Sequence, residues 1–193
     1  MTQVKKWLGR AGLWVFGWRP EAEIPDTPKF ILVGYPHTST WDFPIFILTA
    51  WALGIRSRWA GKQSLFRGPL GGLFRALGGV PVDRSGGKNM VSTVAELFEQ
   101  HDRLIFGIAP SGSRSFTSHW RSGFYHMARA ANVPLVLGSV DFARRSGCLL
   151  DVIHLTGDVT ADMDRIRAVY ADVRGRNPEL QTPIRLKSEI DEE

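Results

Sequence analysis

The chain has 193 residues, of which 44% are hydrophobic, and a formal net charge of +5. This length and composition fit one globular domain with a substantial core, and the positive charge indicates an anionic partner. The single cysteine, Cys148, excludes an internal disulfide and a cysteine-rich zinc site, which suits a reducing compartment. We interpret Cys148 as a buried strand residue.

The first predicted element is an amphipathic helix within residues 1–20. This segment contains four basic residues and no acidic residue, and its apolar residues fall at helical spacing: Val4, Trp7, Leu8, Ala11, Trp14, Val15 and Trp18. A basic, tryptophan-rich helix of this kind is typical of a membrane interface. The alternative is a helix packed on its own domain, and Gly9, Gly12 and Gly17 lower the helix propensity in either case.

Strand and helix patterns alternate after a proline-marked connector over 20–28. The predicted elements are a strand over 30–35, a helix over 42–54, a strand over 57–60, a helix over 70–77, a strand over 80–82, a helix over 88–100, a strand over 103–109, a helix over 122–131, strands over 133–140 and 148–155, and a helix over 160–174. This alternation predicts a single-domain α/β sandwich over 28–184 with a largely parallel mixed sheet. We expect the charged tail over 185–193 to fray.

The segment His37-Thr38-Ser39-Thr40-Trp41-Asp42 lies between the first of these strands and the helix that follows it. Open α/β sheets place their sites at the carboxyl ends of strands. A histidine and an aspartate with four residues between them can act as a base and the carboxylate that orients it. Asp42 would lie in the first helical turn, where a carboxylate is favoured. We therefore predict that His37 and Asp42 are catalytic.

Two later segments contain residues suited to phosphate binding. The first, Gly79-Val80-Pro81-Val82-Asp83-Arg84, is a short strand that ends in an acid and an arginine, whose planar fork suits a phosphate. The second, Ala109-Pro110-Ser111-Gly112-Ser113-Arg114-Ser115, follows a buried strand and combines hydroxyls and an arginine with a glycine that permits close approach of a ligand. Gly86-Gly87-Lys88 lacks the spacing of a P-loop, so nucleotide hydrolysis is not predicted.

Together these segments resemble the phospholipid and glycerol acyltransferase family, whose best-known members acylate lysophosphatidic acid. His37 and Asp42 match the family's His-x4-Asp motif, and Gly79 through Arg84 match its second motif. The third motif, usually Pro-Glu-Gly-Thr-Arg-Ser, is matched by Pro110, Gly112, Arg114 and Ser115, and the fourth by Val133-Pro134-Leu135-Val136. The resemblance covers residues 30–140 and includes Lys62 and Pro69. Ser111 replaces the family's glutamate and Ser113 its threonine, which leaves the acceptor open.

The resemblance implies an O-acyltransferase of phospholipid biosynthesis, similar to the 1-acylglycerol-3-phosphate O-acyltransferases. Such an enzyme moves a fatty acyl group from acyl-CoA or acyl-carrier protein to a hydroxyl of a lysophospholipid or glycerol phosphate, without a metal or other cofactor. His37 would be the general base and Asp42 would hold its ring. The expected substrate-binding residues are Lys62, Arg84, Ser111, Gly112, Ser113, Arg114 and Ser115.

Two other functions stay open. In a thioesterase or lysolipid hydrolase, Ser111 would be the nucleophile beside His37 and Asp42, although no Gly-x-Ser-x-Gly elbow surrounds it. In a noncatalytic lipid-phosphate binding protein, the retained His-Asp pair would have no role. His119 and His126 follow the third motif closely enough to touch a substrate.

The expected location is the cytoplasm, because no secretory signal is recognisable, with peripheral contact at the inner face of the cell membrane. We do not expect nucleic-acid binding, because the basic residues are not organised in an RNP-type sequence or a recognisable binding fold.

Overall fold

A mixed sheet forms the centre of the protein. The structure, a computed structural model, describes residues 2–82 and 87–191, with the backbone alone for residues 87–89 and 191. Within these residues the sheet has seven strands: β1 (Arg19–Glu21), β2 (Lys29–Gly34), β3 (Ser57–Lys62), β4 (Gly79–Val82), β5 (Leu104–Ile108), β6 (Leu135–Asp141) and β7 (Ser146–Ile153). Their spatial order is β1-β7-β6-β2-β5-β3-β4. Only β6 and β7 pair antiparallel among them, so the prediction of a largely parallel mixed sheet is confirmed.

Helices cover both faces of this sheet. They are α1 (Gln3–Val15), α2 (Asp42–Leu53), α3 (Gly71–Ala76), α4 (Gly87–Glu99), α5 (Gly123–Ala131), α6 (Val159–Tyr170) and α7 (Lys187–Asp191), with short 3₁₀ helices at Gln63–Phe66 and Pro178–Leu180. We call α1, α2 and α3 the front layer, and α4 to α7 the back layer. The α/β sandwich predicted from the sequence is therefore confirmed.

Alternate residues of the central strands serve the two layers, because successive side chains of a strand point to opposite faces. Ile31 and Val33 of β2 belong to a large buried cluster with Phe106 and with side chains of α4, α5 and α6. Phe30 and Leu32 belong to a much smaller cluster that Phe46 of α2 covers. The back layer therefore contains most of the hydrophobic core.

Helix α1 packs on α2 through its glycines. A Cβ atom on Gly9 would lie 2.5 Å from the backbone nitrogen of Ala52, and one on Gly12 would lie 2.8 Å from a methyl group of Leu48. Gly9 and Leu13 are buried, whereas Trp7 and Trp14 of the predicted apolar stripe remain exposed. The helix thus packs on its own domain, but with the glycine face rather than with the tryptophan stripe.

The structure differs from the sequence predictions at both ends of the chain. Arg19–Glu21, at the start of the predicted connector, forms β1, which pairs with β7. In the predicted tail, Lys187–Asp191 form α7 instead of fraying, and Glu189 accepts a hydrogen bond from the N–H of Leu186 and pairs with Arg167 of α6, while residues 192–193 lie outside the described part. Both elements are short and depend on partners remote in the sequence, so local patterns do not reveal them.

Candidate active site

His37 and Asp42 lie together just past the carboxyl end of β2. The Nδ1 atom of His37 is 3.1 Å from Oδ2 of Asp42, and the same oxygen accepts the backbone N–H groups of Thr38 at 2.8 Å and Ser39 at 2.9 Å. Asp42 is buried in the first turn of α2, as predicted, while the ring of His37 is partly exposed. A neutral ring that donates from Nδ1 to the carboxylate leaves Nε2 as its proton acceptor.

A loop that is distant in the sequence supports this turn through hydrogen bonds. The side-chain amide of Asn177 donates to the carbonyl of Thr38 at 2.8 Å, and the N–H of Asn177 donates to the Thr38 hydroxyl at 3.3 Å. Gly175 packs so closely that a Cβ atom there would lie 2.6 Å from the Thr38 hydroxyl. This support is not recognisable in the sequence, because the loop is about 140 residues away from Thr38 and has no recognisable motif.

A cavity of about 950 Å³ begins at the His-Asp pair. Besides His37 and Asp42, its lining includes most of the predicted substrate-binding residues: Lys62, Gly112, Ser113, Arg114 and Ser115. Ser111 is buried and is not among the lining residues; its hydroxyl donates to the carbonyl of Ser113 at 3.0 Å. Arg84 lies outside the described residues. The cationic side chains of Lys62 and Arg114 are exposed at the polar end of the cavity.

The remainder of this cavity is largely apolar and runs between α2 and the sheet. Gly107 of β5 and Gly138 of β6 contribute to its floor, while Phe46 of α2 and Leu149 of β7 contribute to its sides. Glycine leaves space here because it has no side chain to fill the gap between strand and helix. The sequence showed these glycines only as members of buried strands.

Arg121 is a site residue that the sequence analysis missed. It lines the first cavity and also a second one of about 1250 Å³, which reaches His37 from the side of the back layer. Gly112 has φ +66°, and a Cβ atom there would lie 2.9 Å from Nε of Arg121. Gly112 therefore permits both the turn and the close approach of Arg121. His119 and His126, which the sequence placed near the third motif, line the second cavity and not the first.

In the described part of the chain, no group of three or more His, Cys, Asp or Glu side chains is arranged to hold a metal ion. No helix in residues 2–82 and 87–191 combines the length and apolar character needed to cross a membrane. Cys148 is a buried strand residue, as predicted, and burial raises the pKa of its thiol.

Comparisons with known proteins agree with this architecture. The fold is similar to that in the crystal structure of the 1-acyl-sn-glycerophosphate (LPA) acyltransferase PlsC from Thermotoga maritima, with a TM-score of 0.59 and 14% sequence identity. The similarity covers 89% of this chain and 78% of that chain. A search of curated protein sequences finds no match. The family model described as Acyltransferase matches residues 19–137, which is more than half of the chain, and the protein therefore belongs to this acyltransferase family.

Proposed function

We propose that this acyltransferase moves a fatty acyl group from acyl-CoA or acyl-carrier protein to a hydroxyl of a lysophospholipid or glycerol phosphate, with 1-acylglycerol-3-phosphate as the first acceptor to test. One observation supports this proposal most directly. At one edge of the sheet, the His37–Asp42 pair meets the cationic residues Lys62 and Arg114 and a long apolar cavity. The His-Asp pair suits the reacting hydroxyl, the cationic residues suit a phosphate, and the apolar cavity suits an acyl chain.

In the proposed mechanism, Nε2 of His37 removes the proton of the acceptor hydroxyl. The hydroxyl oxygen attacks the thioester carbonyl, a C–O bond forms, and the C–S bond breaks when the tetrahedral intermediate collapses. The imidazolium then returns its proton to the leaving thiolate. Asp42 keeps Nδ1 protonated and stabilises the transient charge. Because the acceptor itself supplies the nucleophilic oxygen, no covalent intermediate with the enzyme is required.

The cationic side chains would orient the acceptor. Arg114 and Arg121 can present planar donors to a phosphate, and Lys62 adds a third positive charge to the same cavity. Gly112 gives the ligand close access to the backbone, and the hydroxyls of Ser113 and Ser115 can also donate. Arg84 keeps its predicted phosphate-binding role from the second motif. Holding the phosphate fixes the position of the reacting hydroxyl, and such positioning is worth several kcal/mol, about 7 in favourable cases.

The apolar part of the cavity would hold the acyl chain. The whole cavity has a volume of about 950 Å³, which lies within the usual range for ligand sites. Apolar side chains and glycines line the path away from His37, so a hydrocarbon chain buried there would leave water while its carbonyl carbon stays beside the base.

The exposed face of α1 would hold the protein at the inner surface of the cell membrane. Trp7 is 68% exposed and Trp14 is 80% exposed, and the first 20 residues contain no acidic residue. Amphipathic helices with tryptophan and basic residues bind membrane interfaces that contain anionic lipids. This contact would keep the active site close to its lipid substrates.

Mass spectrometry of the reaction products tests the proposal. Purified protein is incubated with acyl-CoA or acyl-carrier protein and a panel of lysophosphatidic acid, other lysophospholipids and glycerol phosphate. We expect a new acylated product whose rate falls about 10²- to 10⁴-fold in His37→Ala, because the general base is lost. His101→Ala is the control, since its ring bonds to the carbonyl of Leu97 and lines neither cavity.

The other outcomes distinguish the remaining functions. Release of free fatty acid alone, in a His37-dependent reaction, would indicate a thioesterase or lysolipid hydrolase. Binding of lysophosphatidic acid without turnover of either donor would indicate a noncatalytic lipid-phosphate binding protein. Either result would contradict the proposed acyl transfer.

A further inference from the structure

The large apolar side chains that remain exposed are concentrated on the front layer. Within the described residues they belong to α1 and its end, to the turn before α2, and to the segment around α3: Val4, Trp7, Leu8, Trp14, Val15, Phe16, Trp41, Leu65, Leu70 and Leu73. The two others are Ile24 in the connector and Phe116 in the loop after the third motif. As far as the structure describes them, α4 to α7 expose none. An apolar surface confined to one side of a protein marks a contact surface.

The segment Gln63–Ala76, which we call the α3 segment, supplies three of these side chains. Leu70 is 57% exposed and Leu73 is 53% exposed, and Leu65 lies close by in the 3₁₀ helix. The buried ring of Phe66 and the partly buried ring of Phe74 fix this segment to the domain through contacts with Trp59. The leucines are therefore presented on an anchored element.

Charge in this part of the chain has one sign. From Phe43 to Val82 there is no aspartate or glutamate, whereas the same stretch contains five basic residues: Arg56, Arg58, Lys62, Arg67 and Arg75. Lys62 and Arg67 are exposed beside the leucines. A surface that combines exposed leucines with uncompensated positive charge complements a partner that is both apolar and anionic.

The α3 segment also borders the cavity of the active site. Lys62, Leu65 and Phe74 line that cavity together with His37. On the other side, α1 packs against α2, and Phe16 at the end of α1 contacts the exposed Trp41 ring with 5.9 Å between ring centroids. Helix α2 therefore lies between two exposed apolar patches, and the cavity lies beneath it.

We propose that the α3 segment is a second membrane contact, which binds the surface of an anionic lipid bilayer together with the exposed face of α1. This inference deepens the proposed membrane contact of α1 and rests on it, because two contacts fix an orientation that one helix leaves free. The front layer then faces the lipid, and the mouth of the cavity lies at the bilayer surface. Acyl chains pass between bilayer and cavity without crossing bulk water.

A bilayer explains both patches at once. An acidic carrier protein that docks at the cavity mouth would use the basic α3 segment but would leave the tryptophan face of α1 unexplained. A membrane surface is extended, contains apolar chains beneath anionic headgroups, and contacts separate elements of one layer simultaneously. The bilayer is therefore the partner that fits the whole exposed surface.

Vesicle flotation with the double variant Leu70→Ser/Leu73→Ser tests this proposal. The vesicles contain either phosphatidylglycerol with phosphatidylcholine or phosphatidylcholine alone. We expect the double variant to bind the anionic vesicles at least about tenfold more weakly than the wild type, because two leucines no longer enter the interface. Ile24→Ser is the matched control, since Ile24 is 47% exposed but lies between Glu23 and Asp26 and should not approach an anionic surface.

A second measurement locates the contact directly. Cys148 is buried, so a cysteine introduced by Leu70→Cys can be labelled selectively with an environment-sensitive fluorophore. We expect a blue shift on addition of anionic vesicles at position 70 and no shift for a label at position 24. Both measurements record binding alone, so they remain informative whether or not acyl transfer is observed.

Two results would overturn the proposal. The first is unchanged vesicle binding in the folded double variant together with an unshifted label at position 70. The second is unchanged vesicle binding combined with weaker binding of an acyl-carrier protein, which would assign the α3 segment to the carrier protein instead.

Discussion

The two layers of helices differ in what they do with apolar side chains. The back layer buries them, with Phe98, Phe124 and Met163 in one large cluster against the sheet. The front layer leaves many of them exposed and encloses the largely apolar cavity that begins at His37. Stability therefore depends mainly on the back layer, and the proposed binding of lipid depends mainly on the front layer.

Polar side chains also differ between the two sides of the sheet, with a buried carboxylate on one side and exposed cations on the other. In the back layer, the buried Asp162 accepts hydrogen bonds from the Tyr125 hydroxyl, from the Thr156 N–H and hydroxyl, and from the Gly157 N–H. Beside the front layer, Lys62 at the end of β3 and Arg67 in the α3 segment are exposed in a stretch without acidic residues. Buried polar groups whose hydrogen bonds are formed help to specify a fold. Exposed charges of one sign are instead available to bind a ligand of the opposite charge.

Replacing one large aromatic residue on each side of the sheet should separate stability from lipid binding. Phe106→Ala removes a fully buried ring, and we expect the free energy of unfolding to fall by about 3–5 kcal/mol. Trp14→Ala changes a ring that is largely exposed, so its effect on unfolding should stay within about 0.5 kcal/mol. Urea unfolding measures both variants, and vesicle flotation should show weaker binding for Trp14→Ala alone. Equal losses of stability would contradict the division between the layers.

The buried carboxylate should contribute stability that depends on pH. Burial opposes ionisation of Asp162, but its hydrogen bonds from Thr156, Tyr125 and Gly157 outweigh this and lower its pKa. Its contribution is therefore complete above the pKa of the unfolded state, about 4, and is lost as the pH falls through the lower native pKa. Asp162→Asn should destabilise the protein by about 2–3 kcal/mol at neutral pH, because one of the two acceptor oxygens becomes an NH2 donor that faces other donors.

Urea unfolding from neutral to acidic pH checks this effect, and the difference between wild type and Asp162→Asn should shrink at low pH. Asp164→Asn is the control, because the Asp164–Arg167 pair is exposed on the same helix and should contribute less than about 1 kcal/mol. A difference for Asp162→Asn that stays constant with pH would show that the charge is not responsible.

The two glycines of α1 should respond differently to alanine. In Gly9→Ala the new methyl group meets the backbone of Ala52 and Leu48, so α1 must move and we expect a loss of about 1–3 kcal/mol. In Gly12→Ala it meets only the flexible end of Leu48, which can rotate away. Hydrogen exchange of the α1 amides should be faster in Gly9→Ala alone. Similar exchange in both variants would contradict close packing at Gly9.

The smallest effect should come from the floor of the cavity. A Cβ atom on Gly107 would lie 3.5 Å from its nearest neighbours, so Gly107→Ala fits the fold while narrowing the cavity. We expect kcat/KM for long acyl donors to fall about fourfold relative to donors shorter by one or two methylenes, because about one buried methylene is displaced. Gly123→Ala in α5 is the control, since its Cβ atom also fits. An unchanged preference in Gly107→Ala would place the acyl chain elsewhere.

The sequence by itself determined much of the fold and the positions of the proposed reacting groups. Local patterns suffice for the alternation of strands and helices, because the spacing of apolar residues differs between a strand and a helix. They also suffice for His37 and Asp42, since the six residues from His37 to Asp42 place both groups just past the end of β2. The spacing of the third motif likewise identified Arg114, which the fold brings to the same cavity.

Only the tertiary structure decided the features that depend on distant partners. Loop packing places Arg121 next to Gly112, and Asn177 donates a hydrogen bond to Thr38, which lies far away in the sequence. Gly107 lines the cavity because α2 packs over this part of the sheet. The same holds for α1: its periodic stripe predicted an amphipathic helix, but the face that packs on α2 is the glycine face. Periodicity records which residues are apolar, whereas the partner helix decides which of them are covered, because close packing depends on the shapes of both surfaces.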